Sequence, residues 1–181
     1  MPTSELANIV PIVETAIRLS PKSVLDLGAG SGKYGVLLRE YLDIAHGRLD
    51  RKDWQVRLHA VEGFLQYVTG VHRHVYDWIH HRDFSFVGFW PEFVNYDLVL
   101  MVDSLEHLPK DHGLELLQFL MQHNRYVLVS VPFGVNYLEQ GAVNGNEFER
   151  HRAHWRPEDF TMMGGTILHR GVCCVALLKA A

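Results

Sequence analysis

Apolar residues along this chain recur at two spacings, and the alternation between them predicts the elements. From Ser4 to Leu19, the residues Leu6, Ile9, Val10, Val13 and Ile17 fall at helical spacing, with Ser4 as N-cap and Pro11 marking a kink or a later start. Pro21 ends that segment. Ser23 to Leu27 is a short, mostly apolar run of the kind a buried parallel strand carries. Glycines at 28, 30 and 32 follow, then a helix from Lys33 to about Leu42. Val56 to Val61 alternates and reads as a second strand, with a helix over roughly Phe64 to Arg73 behind it. A short third strand is expected between Val75 and His81, and a ragged helix or loop runs on to Asn95. Tyr96 to Val102 is a buried strand, and Leu114, Leu117, Phe119, Leu120 and Met121 lie in the helix after it. Tyr126 to Val131 is a further strand, stopped by Pro132. A polar, glycine-rich loop from Gly134 to Gly145 leads to a short helix near Pro157 to Phe160. Two strands, near Gly165 to His169 and Val172 to Leu178, flank the turn signal Arg170-Gly171.

Strand and helix alternating in this way predict a parallel sheet with helices on both faces, and the closing pair adds one antiparallel strand. The 181 residues suit a single domain, 1–181, and 48% apolar content supports a packed core. Net charge is −4 with both signs intermixed, which argues against a dedicated nucleic-acid or anionic-membrane surface. The first residues have no basic start followed by an apolar run, and no apolar stretch reaches membrane-spanning length. Cys173 and Cys174 are adjacent, which suits neither an ordinary disulfide nor a zinc site. A reduced, cytoplasmic setting is expected.

Strand, glycine loop and helix in succession form a device for holding a nucleotide-like ligand, because glycines let the ligand approach the main chain. A phosphate-binding loop needs four residues between its first glycine and Gly-Lys-Ser/Thr. Gly28 to Gly32-Lys33 leaves only three, and Tyr34 stands where a magnesium-ligating hydroxyl belongs. The dinucleotide pattern Gly-x-Gly-x-x-Gly also fails, since the third glycine is Gly32 and Gly35 does not repair the spacing. What remains is Gly-x-Gly-x-Gly with Asp26 two positions before it.

The run Val24-Leu25-Asp26-Leu27-Gly28-Ala29-Gly30-Ser31-Gly32-Lys33-Tyr34-Gly35 resembles the first motif of the class I S-adenosylmethionine-dependent methyltransferases. A carboxylate at Asp26 suits a sulfonium cofactor with a free amino group, both positive, and would repel a pyrophosphate. The resemblance implies a three-layer Rossmann-like α/β sandwich, with a mostly parallel seven-stranded sheet whose last strand is antiparallel. It also implies S-adenosyl-L-methionine as cofactor, held by Asp26, Gly28, Gly30, Gly32 and Tyr34. Glu62, at the end of the second strand, resembles the acidic residue that chelates the ribose hydroxyls, with Gly63 beside it and Phe64 near the adenine. Asp83 resembles the residue that bonds the adenine amino group, and Phe84 would flank the ring; Arg82-Asp83 departs here from the family's common Gly-Asp. The block Tyr96 to Leu108 resembles the fourth-strand motif, in which Asp97 opens the strand and Val102, Asp103 and Ser104 border the cofactor.

Methyl transfer from a sulfonium is an in-line displacement that positioning and exclusion of water can drive, and it needs a base only if the acceptor must lose a proton early. His107, in the loop after Asp103-Ser104, is the first candidate base. Asn146 to Trp155 resembles an Asn-x-x-Glu-x-His-Arg-x-x-Trp block found after the fifth strand in some small methyltransferases. There His151 or Arg152 would reach the acceptor and Trp155 would close the pocket, beneath the 134–145 loop as a lid. The alternative is a packed loop with Trp155 in the core and His151 bonded to backbone. His72-x-His74, His80-His81 and His151-x-x-His154 have chelating spacings, yet none is joined by the carboxylate or cysteine partners that would complete a zinc site, the copies fall in different elements, and no metal is expected. The expected activity is methyl transfer to a small-molecule acceptor, with no membrane or nucleic-acid partner. The alternative is an S-adenosylmethionine-binding protein that has lost catalysis and acts as a partner or sensor; an NAD-dependent oxidoreductase is disfavoured by the glycine spacing and Asp26.

Overall fold

The computed structural model of the chain describes residues 4–134 and 139–180. Seven strands form one sheet: β1 (Ser23–Leu27), β2 (Arg57–Val61), β3 (Trp78–His80), β4 (Leu98–Val102), β5 (Tyr126–Pro132), β6 (Thr166–Arg170) and β7 (Cys173–Lys179). Their order is β3-β2-β1-β4-β5-β7-β6. The first five run parallel, and β7 is antiparallel to both β5 and β6. β1 lies between β2 and β4, with Val24 opposite Leu58 on one side and Leu98 on the other. The chain reverses its direction of winding between β1 and β4, and open α/β sheets hold ligands at the carboxyl ends of the strands flanking such a point.

Alternation along each strand divides the core in two. Val24, Leu98, Leu100 and Val102 face α1 (Ile9–Leu19), α2 (Lys33–Leu42) and α3 (Gly70–Val75), packing with Ile12, Ala16, Leu38 and Val75. Leu25, Leu27, Val99 and Met101 face α4 (Lys110–His123) and α5 (Pro157–Met162), packing with Leu116, Leu117, Leu120 and Phe160. Burial on both faces is why β4 reads as an unbroken apolar run rather than an alternating one. Among the described residues, no helix is long and apolar enough to cross a membrane.

Small shifts aside, such as β4 opening at Leu98 rather than Tyr96, three boundaries differ from the sequence reading. Helix α1 starts at Ile9, after a single 3-10 turn at Leu6–Asn8, so Ser4 does not cap it. Pro11 sets the later start, because in the first turn its missing N–H would have had no intrahelical partner. The helix expected over Phe64 to Arg73 is only Gly70–Val75, preceded by a 3-10 turn at Leu65–Tyr67. The Phe64 N–H is held by Glu62, and Thr69 caps α3 together with the His72 side chain. The third strand is confined to Trp78–His80.

Gly35, in the first turn of α2, makes room for Tyr76. A Cβ there would strike the fully buried Tyr76 ring and come within 2.8 Å of Val75 Cγ2. Alanine is the better helix former by about 1 kcal/mol, but overpacking costs ~1–3 kcal/mol. Gly35→Ala is therefore expected to lower the urea midpoint; an unchanged or higher midpoint would show that the ring can move aside.

Candidate functional site

The glycine loop between β1 and α2 is shaped by left-handed backbone. Gly28, Gly30 and Gly32 have φ of 87°, 55° and 80°, a region that side-chain-bearing residues rarely adopt. A Cβ on Gly28 would also lie 2.7 Å from Ser104 Cβ. The loop is pinned from behind by His72, whose Nε2 lies 3.1 Å from the Gly30 carbonyl while Nδ1 accepts the Thr69 N–H at 3.2 Å. A carbonyl only accepts, so His72 carries its proton on Nε2, and burial holds its pKa below the ordinary value. His72 is thus a strut of the loop rather than half of a chelating pair with His74.

Three carboxylates surround this loop at the carboxyl edge of the sheet. Asp26 is buried on β1, and the Tyr76 hydroxyl donates to its Oδ2 at 2.5 Å. Burial raises its pKa to about 6 against the lowering effect of that hydrogen bond. Glu62 follows β2, and its Oε2 accepts from Gly30 N at 2.9 Å and its Oε1 from Phe64 N at 2.8 Å. Burial outweighs these two donors and pushes Glu62 to about 7. Asp103, just past β4 with φ 49°, accepts from Ser130 Oγ at 2.8 Å, and Asn8 Nδ2 donates to that same Oγ at 2.8 Å. Its pKa is likewise raised to about 6 by burial. Burial raises all three, although Lys33, which also lines the cavity, pulls Asp103 the other way.

These groups line a cavity of about 920 Å³, within the range of small-ligand sites (~300–1,000 Å³). Its far wall comes from the loops after β4 and β5. Glu106 is buried, and burial, then Asp103, raises its pKa well above the ordinary value. His107 Nδ1 lies 3.2 Å from the Arg150 carbonyl, so Nδ1 carries the proton and Nε2 keeps its lone pair. Burial lowers the His107 pKa to about 4, against the pull of that carbonyl, so the ring is neutral near pH 7. His151 stacks obliquely on His107 at 5.2 Å between ring centroids, and its Nε2 is 4.0 Å from Glu106 Oε1.

No family model matches this chain, and no curated protein matches it. Solved structures do match. The methyltransferase domain of bacterial CtHen1 is 16% identical with a TM-score of 0.61, the match covering 95% of this chain and 97% of that one. The N-terminal domain of EvdMO1 with SAH bound is 14% identical with a TM-score of 0.67, covering 99% of this chain and 82% of that one. Magnesium protoporphyrin IX methyltransferase from Synechocystis PCC 6803, with bound SAH, is 13% identical with a TM-score of 0.61, covering 97% and 83%. The fold is that of a class I methyltransferase.

Within this methyltransferase fold, most of the residues expected from sequence come together. Asp26, Gly28, Gly30, Tyr34, Glu62, Gly63, Asp83, Phe84, Val102, Asp103, Ser104, His107 and His151 all line the one cavity. Gly32 and Phe64 do not. Gly32 sits at the N-cap of α2, and the Phe64 ring turns away to pack edge-on against Tyr67 at 4.8 Å. The aromatic wall beside Gly63 is instead Phe148, whose ring would lie 3.5 Å from a Cβ at Gly63. Trp155 is buried in the core and does not line the cavity, so the packed-loop alternative describes it. Arg152 does line the cavity. Of the expected lid, residues 135–138 lie outside the described residues. Sequence reasoning missed Tyr76, His72, Phe148 and the segment Ser4 to Leu6, which also lines the cavity. None belongs to the motif that it serves.

Proposed function

We propose that this chain binds S-adenosylmethionine and transfers its methyl group to a small-molecule acceptor. The observation that carries the reading is the convergence of Asp26, Glu62 and Asp103, buried and raised, on a glycine loop at the sheet's switch point. A phosphate ligand would meet three acids beside this loop, whereas an ammonium and a sulfonium would be attracted by them and favour their ionised forms. Each Glu62 oxygen accepts one backbone donor and retains a lone pair for a ribose hydroxyl. Asp83, Phe84 and Phe148 line the same cavity, which supports an adenine held among them. SAH bound in two of the similar structures supports the cofactor. The acceptor reading rests on the far wall of the cavity, lined by His107, His151 and Arg152.

A thermal-shift comparison tests the cofactor directly. S-adenosylhomocysteine should raise Tm, and NAD should not; stabilisation by NAD alone would overturn the reading. The affinity should also depend on pH. Asp26 and Glu62 hold protons to about 6 and 7 in the free protein, and binding a cation and a diol favours their ionised forms. Protons are then released on binding, so affinity rises with pH through about 6–7 and levels off above about 8. Calorimetry in two buffers of different ionisation heat reads that release. In Gly28→Ala, a left-handed residue gains a side chain facing Ser104, and affinity should fall tenfold or more. Wild-type affinity in that variant would mean that the ligand does not approach this turn.

A further inference from the structure

The far wall of the cavity holds a donor set that methyl transfer by itself does not use. Glu106, His107 and His151 each place one ligand atom within 4.8 Å of the others. Two donors on one ion at ~2.1 Å stand ~3–4 Å apart, so the trio needs only a modest contraction to share a cation. Glu106 is 3% exposed, and its Oε2 has no hydrogen-bond partner among the described residues. A buried carboxylate oxygen without a donor is costly unless something arrives to use it. The bond from His107 Nδ1–H to the Arg150 carbonyl is the outer contact that orients a ligating imidazole and leaves Nε2 available. His74, His80, His81 and His154, singled out by spacing, take no part in this group.

We propose that Glu106, His107 and His151 bind a divalent transition-series cation at the acceptor end of the cavity. Two imidazoles and one carboxylate favour manganese or zinc over magnesium, which prefers oxygen donors and keeps its waters. The consequence for chemistry rests on the methyl-transfer reading: the acceptor is then a hydroxyl compound whose oxygen binds the cation. The cation lowers the hydroxyl pKa, and the proton leaves to solvent. An oxygen lone pair forms the new O–CH3 bond, while the C–S bond breaks and returns its electron pair to sulfur. The two imidazoles then serve as ligands rather than as proton acceptors.

Titrating Mn²⁺ into the metal-free protein, without S-adenosylhomocysteine, and following the free-ion electron paramagnetic resonance signal tests the site. One equivalent should bind, Zn²⁺ should displace it, and a tenfold excess of Mg²⁺ should not. His151→Ala, in the loop after β5, and Glu106→Gln should each weaken Mn²⁺ binding tenfold or more, with the affinity of His151→Ala for S-adenosylhomocysteine unchanged. Failure of the wild-type protein to bind either Mn²⁺ or Zn²⁺ at millimolar concentration would overturn the proposal, as would wild-type Mn²⁺ affinity in His151→Ala. Mn²⁺ binding by a protein that ignores S-adenosylhomocysteine would keep the site and remove the methyl-transfer role.

Discussion

Replacing Trp155 by alanine should lower the stability of the fold by about 3–5 kcal/mol, the range for emptying a buried tryptophan site. The ring is 1% exposed and stacks on Phe160 at 5.6 Å with 13° between planes. Lys110 Nζ sits 3.7 Å from its centre and also donates to the His154 carbonyl and to Asp159 Oδ2. Gly113 on α4 leaves the space the ring needs, since a Cβ there would lie 2.6 Å from Cζ2. Trp155 therefore fastens the loop that carries His151 against α4, four residues downstream of that histidine. Urea denaturation reads the loss. A drop below about 1 kcal/mol would place the ring outside the core after all.

Glu62→Ala should weaken binding of S-adenosylhomocysteine by about 1–3 kcal/mol, or ~5–150-fold, the scale of losing hydrogen bonds to a charged group. The variant removes two proposed ribose contacts and also frees the N–H groups of Gly30 and Phe64, which Glu62 now holds. Glu62→Gln keeps one acceptor oxygen and should fall between the two, with a flatter pH dependence because the group near pKa 7 is gone. Equal affinity in the wild-type and alanine proteins would move the ribose elsewhere in the cavity.

The parts of this site that were legible in sequence are those whose chemistry demands close spacing. Val24 to Gly32 turns sharply from strand to helix through left-handed glycines, so strand, acid and glycines occupy nine consecutive positions. Glu62 and Asp103 were legible for a related reason, since each follows directly from a strand end. What stayed hidden depends on distance. Tyr76 reaches Asp26 across fifty positions, and no local pattern announces a tyrosine that holds a carboxylate in place. His72 carries the same spacing to His74 that a chelating pair would, yet its Nε2 is spent on the Gly30 carbonyl. Phe148 lines the cavity and Phe64 does not, because Phe64 N–H is anchored to Glu62, a 3-10 turn follows, and the ring packs on Tyr67. Glu106 and His107 meet His151 only because β4 and β5 are neighbours in the sheet, so a search for closely spaced ligands passed over them. The fold itself was legible apart from the ends of α1 and α3 and the extent of β3, where Pro11, Thr69 and Glu62 set boundaries that periodicity alone did not.

The central claim, a nucleoside ligand with an amino-acid tail on the Asp26-Gly28-Gly30 turn, is tested most directly by calorimetric titration of the wild-type protein with S-adenosylhomocysteine at pH 8. The account predicts one site per chain, an affinity that weakens below pH 6, and proton release on binding. No measurable heat or competition at millimolar ligand, at either pH, would contradict it.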